Sequence, residues 1–519
     1  MSKNILLINP VFTFDKYLVD KYQQRRLIPR SYPPFGLLQI GGYLKKNGYY
    51  VDIIDGNIHS NLFLPIDKIL SSKKVLCVGF TVKTGPPLLQ AMQLSFYIKS
   101  KYPEVNIVWG GIFPTILPEE TLQQSFADFV IVDQGEESML ALCNALLSEK
   151  PVYEIPGVAF LKKNVVHLTP QAAFVKYFPA DWSLIEKDLN FKQKPYIASV
   201  LISRGCPFKC SFCYNRSKYN INNNYKWSPI DNERVLRDVD ALLKYEMNVF
   251  NFLDDCTLMN KKRIIPLINE FKKRKIYIEQ CISHVRTITP EIIEAIGPIV
   301  QQISYSIETV SSRLQKILNK KISTQEIIKA DRLLAYNDIN TIHNFIVGIP
   351  EETDDDLRMN IELAVLLRQI NPFIRFTAMF CVPYPKSDLE KWVKDHMGYK
   401  IPYDLRLLST VSLFNLNVNP VVQPWLMKAE KKEFYEKFMR VFEAIFYNPK
   451  DLSFIKSILC NNKRLYKIFE PALKLPKLET NFPYILNKLI NDRNITYPQA
   501  KEKFLTKWRL SELNNNETN

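Results

Sequence analysis

The chain is predicted to be an α/β protein, with two units built on parallel sheets and a mostly helical tail. Three observations predict this. Apolar strand runs alternate with helical spacing through residues 1–150, the pitch of a doubly wound, Rossmann-like sheet. The alternation restarts after residue 195 and yields six strand–helix units, a partial (β/α)6 barrel. After residue 400 the strand runs stop and helical spacing takes over. The expected division is therefore 1–150, a connector at 151–195, the barrel at 196–400 and the helical region at 401–519. A chain of 519 residues is too long for one ordinary core.

In the first unit, Lys3–Asn9 reads as a strand ending at Pro10. Pro33-Pro34-Phe35-Gly36 opens a helix that Asn47-Gly48 stops. Tyr50–Asp55 and the apolar run Val75–Thr81 are the next strands, the second reading as a central parallel one. Leu88–Lys101 is a helix after the break at Gly85-Pro86-Pro87. Asn106–Trp109 and Phe129–Val132 are further strands, and Gln134-Gly135-Glu136-Glu137 opens another helix. Open parallel sheets bind ligands at the carboxyl ends of their strands, where these turns emerge. In the connector, Gly157–Leu161 and Val165–Leu168 read as a small hairpin. Trp182-Ser183-Leu184-Ile185 is expected to pack on a domain surface, and Lys194-Pro195-Tyr196 to close the connector.

The barrel strands are expected at Ile197–Ile202, Val249–Leu253, Tyr277–Ser283, Gln302–Ile307, Thr341–Val347 and Arg375–Cys381. Helical patterns at Ala429–Phe446, Ile455–Leu459, Leu465–Phe469 and Tyr484–Ile490 form the tail, which is expected to cover the open side of the barrel. The end, Leu513–Asn519, reads as disordered.

Composition narrows the class. Hydrophobic residues at 46% and charged residues at 24% are those of a globular protein. No run of about 18 apolar residues predicts a membrane span. The first residues lack a signal peptide's apolar core, so a cytoplasmic protein is expected. The net charge of +16 is dispersed, and its densest pieces, Lys272–Lys275 and Lys428–Lys437, read as solvated helix faces. Nucleic acid is therefore not the expected partner. Of nine cysteines, Cys77, Cys143, Cys256, Cys281, Cys381 and Cys460 stand alone and read as buried thiols of a reducing compartment.

The other three, Cys206, Cys210 and Cys213, stand at C-x3-C-x2-C directly after an apolar run. Three thiolates on one loop can hold three corners of a four-iron cluster, leaving the fourth iron open to a small molecule. Zinc is the alternative, since C-x2-C pairs are common in zinc sites. Zinc would need a fourth ligand, yet the next Cys is Cys256 and no His lies between residues 168 and 283.

The stretch Arg204–Asn215 resembles the radical S-adenosylmethionine (SAM) family, whose CxxxCxxC signature has an aromatic residue, here Phe212, before the last Cys. The resemblance implies a 4Fe-4S cluster on Cys206, Cys210 and Cys213, with SAM chelated to the open iron and cleaved reductively to a 5′-deoxyadenosyl radical. An electron donor such as flavodoxin or ferredoxin goes with that chemistry. The resemblance also implies SAM contacts from Phe212, Tyr214, Asp254, Asp255, Arg286, Glu308, Gly348, Pro350 and Tyr384. Here Thr309 and Val310 replace the Ser-Gly that follows the family's glutamate. From the residues alone, Asp254 or Glu351 could equally cap a helix, Arg286 could form a surface ion pair, and His284 and His343 could be satisfied core histidines.

The turns of the first unit, Tyr32–Leu37, Lys83–Pro86, Gly110–Thr115 and Gly135–Glu137, resemble the cobalamin-binding domain that precedes many radical SAM domains. That resemblance implies cobalamin contacts at Thr81, Val82, Lys83, Thr84, Gly110, Gly111, Phe113, Thr115, Gly135 and Glu136. The family's D-x-H-x-x-G motif is missing, and neither His59 nor His396 fits it. Cobalamin is therefore expected without a histidine lower ligand, its lower face against Thr81–Thr84. An inherited fold with no cofactor is the alternative.

Taken together, the resemblance implies a cobalamin-dependent radical SAM enzyme that methylates an unactivated carbon of a small molecule, lipid or peptide. A cyclase or rearranging enzyme of the same family is the alternative. Of another class, a cobalamin sensor or RNA-binding module would have no use for the three-cysteine loop. The family's tRNA methylthio enzymes carry a second cysteine trio, but only Cys77 and Cys143 lie in the first unit here.

Overall fold

The computed structural model describes residues 2–11, 33–59, 61–172, 178–186, 198–221, 226–371, 374–412, 416–447 and 452–474. The expected helix at Tyr484–Ile490, the disordered end and the turn at Lys194–Tyr196 lie outside the described residues.

The first sheet contains β1 (Asn4–Asn9), β2 (Tyr50–Asp55), β3 (Cys77–Thr81), β4 (Asn106–Gly110), β5 (Phe129–Ile131), β6 (Val158–Lys162) and β7 (Val165–Leu168), in the order β2-β1-β3-β4-β5-β6-β7. The first five pair in parallel. Their side chains alternate between two buried faces, as both-sided helix cover requires. Ile5 and Leu7 join one apolar cluster, Leu6 and Ile8 the other. The hairpin expected in the connector is part of this sheet, since β6 pairs antiparallel with β5. The short helix Trp182–Ile185 packs on the helix Phe35–Lys46, where Leu184 fills the space beside Gly41. The sequence reading also passed over the helix Phe63–Ser72, which begins without a side-chain cap.

The second sheet is a six-stranded parallel one in the order β15-β14-β13-β12-β11-β8. Its strands are β8 (Ala198–Val200), β11 (Val249–Phe252), β12 (Tyr277–Ile282), β13 (Val300–Ser304), β14 (Asn340–Val347) and β15 (Arg375–Phe380). Two-residue strands β9 (Ser203–Arg204) and β10 (Ser228–Pro229) pair antiparallel beside it. Capping boxes at Ser323 and Thr353 start two of the barrel helices. Thr353, and not Glu351, is thus the cap at its turn.

The helical region meets both units. Ile401, Leu405, Leu408, Val411, Val421 and Val422 belong to a cluster of the first sheet, while Phe434, Phe438 and Phe442 belong to the core that contains the barrel. The tail, expected to cover the barrel, thus packs on the first sheet as well. Cys460 is corrected: it ends the helix Leu452–Cys460 and is exposed. No helix among the described residues is long and apolar enough to cross a membrane.

Candidate active site between the two sheets

The carboxyl ends of both parallel sheets face one cavity of about 400 Å³. The first sheet contributes Leu7, Thr81, Gly110, Gly111, Gly135 and Glu136 to its wall, and the second unit contributes Arg204, Gly205, Tyr214, Lys218 and Asp255. A parallel sheet points every strand end the same way, so two such sheets whose strand ends face one another enclose a space between their loops.

The cysteine loop runs along the barrel side of this cavity. It leaves β9 through Gly205 at φ +78, where an added Cβ would meet the Lys226 carbonyl at 2.7 Å. Its far end starts the helix Tyr214–Ile221. The loop is pinned by Ser211, whose hydroxyl donates to the Ile317 carbonyl at 2.6 Å, and by Asn319, whose amide donates to the Lys209 carbonyl at 2.6 Å. Phe208 stacks on His284 with ring centroids 3.7 Å apart.

The three thiols are half-buried. Burial pushes the Cys213 thiol up to about 12 and the Cys210 thiol above its ordinary value. The neighbouring Cys256 thiol and burial do the same to Cys206. Among the described residues, no three His, Cys, Asp or Glu side chains converge on a single metal position. Zinc holds four donors about 2.0–2.3 Å from one centre. Three thiols on one loop can each hold a separate iron of a four-iron cluster.

Polar groups gather at the barrel strand ends. Asp254 is fully buried and accepts from the Ile202 amide at 3.1 Å and from the Ser203 hydroxyl. Burial pushes its carboxyl up to about 7 against those bonds. It ties the end of β11 to the segment from Ile202 into β9 and caps no helix. Asp255, by contrast, faces the cavity and accepts from the Tyr214 hydroxyl. Glu308 lies beyond β13 at φ +65, a backbone region costly for a side chain and common at functional sites. Its carboxylate pairs with Lys320 at 3.3 Å, both side chains being buried. Burial raises the Glu308 carboxyl, whereas Lys320 stays protonated against burial because Glu308 faces it.

Residues 200–364 match the model of the radical SAM superfamily, and residues 27–143 match that of the B12 binding domain. The chain belongs to the cobalamin-dependent radical SAM enzymes. A relative described as an uncharacterized methyltransferase of Pyrococcus horikoshii is 26% identical over 374 residues, 70% of this chain and 79% of the relative. The anaerobic magnesium-protoporphyrin IX monomethyl ester cyclase of Rubrivivax gelatinosus is 24% identical over 449 residues, 82% of this chain and 76% of the relative. Among solved structures, the radical SAM methyltransferase TsrM of Kitasatospora setae, with cobalamin and a 4Fe-4S cluster bound, superposes with a TM-score of 0.67. That match covers 99% of this chain and all of the other at 14% identity, so it speaks for the fold.

The cofactors of this radical SAM enzyme are a 4Fe-4S cluster, SAM and cobalamin. The first-sheet wall gives a flat macrocycle close approach to backbone at Gly79, Gly110, Gly111 and Gly135, between apolar side chains such as Leu7, Ile40 and Met139. Gly111, at φ +95, sits where a Cβ would lie 2.9 Å from both the nitrogen and the oxygen of Val82. Val82 is itself locked, its amide donating to Gly110 at 2.8 Å and its carbonyl accepting from Phe113 at 3.1 Å. None of the five histidines lines the cavity.

The remaining expected contacts fall in three groups. Thr81, Gly110, Gly111, Gly135, Glu136, Tyr214 and Asp255 line the cavity. Phe113 and Thr115 are buried behind it, Thr115 accepting from the Asp133 amide at 2.9 Å, while Lys83 is exposed and Thr84 half-buried. Phe212 packs on Leu314, Ile346 and Leu389, and Tyr384 lies 6.4 Å from the Tyr214 ring, its hydroxyl pushed up to about 12 by burial and the Cys213 charge. The Gly348 carbonyl accepts from the Trp425 indole at 2.8 Å, and buried Pro350 follows in the same turn. Arg286 is placed differently from these. It is half-exposed, pairs with Glu326 at 2.8 Å and donates to the Lys321 carbonyl, a surface ion pair away from the cavity. His343 is a satisfied core histidine, bonded to Asp331 at 2.9 Å.

Sequence reasoning missed Gln39, Asp133, Lys218, Lys320 and the approach of Cys256 to Cys206. None sits in a motif. Cys256 follows Asp254-Asp255, so the strand that brings the acids also brings this thiol; its Sγ lies 3.6 Å from the Ser283 hydroxyl.

Proposed function

We propose that this radical SAM enzyme methylates an unactivated carbon of a small molecule, lipid or peptide held in the cavity between its two sheets. One observation carries the reading: a single cavity is walled by the strand ends expected to hold cobalamin and by the flank of the three-cysteine loop. With their cofactors in place, these walls supply radical chemistry from one side and a methyl donor from the other. An unreactive carbon presents a high barrier, which justifies two such groups facing one space.

The chain's own residues have separable roles in this reading. Cys206, Cys210 and Cys213 hold the cluster. Glu308 and Lys320 stand beside that loop as a buried pair of opposite charges suited to a zwitterionic amino acid moiety. Asp255 and Tyr214 orient polar groups at the cavity wall. Apolar Leu7, Phe35, Ile40 and Met139 restrict water.

Ring formation without net methyl transfer is the second reading, favoured by the likeness to the Rubrivivax cyclase over most of both chains. Product mass separates the two. The test is anaerobic reconstitution with iron, sulfide and cobalamin, followed by reaction with SAM bearing a deuterated methyl group. Methyl transfer predicts a product carrying the heavy methyl together with 5′-deoxyadenosine. A product without the label refutes it, and labelled product without 5′-deoxyadenosine refutes the radical course.

A further inference from the structure

The cysteine loop is braced on both flanks against one short loop of the first domain. Arg204 stands two residues before Cys206, and Lys218 five residues after Cys213. Arg204 reaches across the cleft, and its guanidinium donates to the carboxylate of Glu136. Lys218 lies 3.4 Å from the carboxylate of Asp133. Asp133 lies in the four-residue turn after β5, and Glu136 is the first residue of the helix that follows it. Both bases come from the barrel side and both acids from the first domain.

One end of each brace is anchored, Arg204 in the first and Asp133 in the second. Arg204 is paired in β9 with Ser228 of β10, and its neighbour Ser203 is bonded to buried Asp254. The guanidinium also reaches the Gln39 side-chain oxygen at 3.3 Å. That amide cannot turn over freely, because its nitrogen donates to the Phe178 carbonyl at 2.8 Å. Asp133 holds a φ of +67 while its amide donates to Thr115. The side chains are sequestered, at 17% and 4% exposure for Arg204 and Glu136 and 18% for both partners of the other pair. Sequestered pairs are screened little by salt. A single brace would leave the two units free to pivot. Two braces on opposite flanks of one loop fix both distance and tilt.

We propose that Asp133 and Glu136, engaged by Lys218 and Arg204, form a two-point ionic clamp that sets the spacing between the cysteine loop and the first-sheet face. Arg204 and Lys218 are then positioning residues. Chemistry shared between two cofactors needs their separation held to about half an ångström, and a clamp of this kind provides it. The proposal rests on the reading that cobalamin and the cluster occupy facing walls.

The test uses the full chain reconstituted with iron, sulfide and cobalamin, and poised so that cob(II)alamin and the reduced cluster coexist. Electron paramagnetic resonance reads their dipolar coupling. In Lys218→Gln and Glu136→Gln the coupling is expected to fall roughly twofold or to broaden into a distribution, as a loosened site predicts. The charge swap Asp133→Lys with Lys218→Asp should restore a single coupling, which a merely structural role would not predict. Hydrogen exchange gives a second reading that needs no cofactor. Residues 133–136 and 204–213 should exchange roughly tenfold faster together in Lys218→Gln, since the clamp joins them in one opening unit. Coupling and exchange unchanged in both single variants, with thermal melting confirming the fold, would overturn the clamp. Wild-type protein that retains no corrin absorbance would instead sink the cofactor reading and leave the clamp to be judged by exchange alone.

Discussion

The two walls of the cavity are made of opposite materials. The barrel side acts through side chains: a carboxylate bonded to a tyrosine on the wall itself and, outside the cavity's lining, three thiols on a loop and a buried lysine–glutamate pair. The first-sheet wall is apolar, with Leu7, Phe35, Ile40 and Met139, and opens to close approach where side chains are missing, at Gly79, Gly110, Gly111 and Gly135. The contrast teaches where each wall is vulnerable. The first fails when atoms are removed, the second when atoms are added.

The largest effect should come from removing atoms. Changing Cys206, Cys210 and Cys213 to Ala is expected to abolish iron–sulfur absorbance after reconstitution, while corrin absorbance persists because the other wall is untouched. Loss of both signals would break the comparison, since it would make the walls one unit. Retained iron–sulfur absorbance would remove the cluster from these cysteines.

Adding one methyl group to the other wall comes next. Gly111→Ala forces a Cβ to within 2.9 Å of the Val82 backbone at a φ of +95. Such a backbone costs about 1–3 kcal/mol for a residue with a side chain, and the contact cannot relax cheaply because it is to backbone. Corrin binding should weaken and the melting temperature should fall, with the iron–sulfur spectrum unchanged. Titration with cobalamin and a thermal melt check both parts.

A third prediction probes the support behind the barrel wall. Glu352 is buried and accepts from the Gly348 amide at 2.7 Å; burial pushes its carboxyl up to about 8. The folded state therefore binds this proton more tightly than the unfolded chain does. The stabilisation is complete below the ordinary glutamate value of 4.5 and is lost as the pH rises through about 8. Each pKa unit corresponds to about 1.4 kcal/mol. Glu352→Gln keeps an acceptor for Gly348 without the titration. Its melting temperature should vary less between pH 5 and pH 8 than that of the wild type, and a parallel decline in both proteins would refute the assignment.

The same contrast decides what was legible in the sequence. The cysteine spacing was, because ligand chemistry needs particular side chains at particular intervals. Both sheets were legible from strand–helix alternation, whereas the split of Ile5 and Leu7 from Leu6 and Ile8 between two faces was not, since all four are apolar. The cavity's ionic partners were not. Asp133, Lys218 and Lys320 stand in runs that read as ordinary surface, and only the meeting of distant segments removes them from water. Cys256 lies 50 residues beyond Cys206, so its approach depends on the pairing of β11 with β8. The β6–β7 hairpin was placed as a strand pair but not in its sheet, because local pattern does not name a strand's neighbour.

Arg286 gives the smallest effect and the sharpest check on that lesson. A charged residue at the end of a barrel strand is where the resemblance implies a SAM contact. The backbone does deliver it to the strand end, but the side chain turns outward to Glu326 and the Lys321 carbonyl. The two partners are 50% and 37% exposed, and exposed pairs contribute roughly 0–1 kcal/mol. Arg286→Ala should therefore lower stability by no more than about 1 kcal/mol. SAM affinity, measured by equilibrium binding to the reconstituted protein, should stay within roughly twofold of wild type, as distant surface changes do. A tenfold loss of affinity would mean that the side chain swings inward when SAM binds. The barrel wall would then include a residue that changes partners, and its chemistry could not be read from side-chain positions alone.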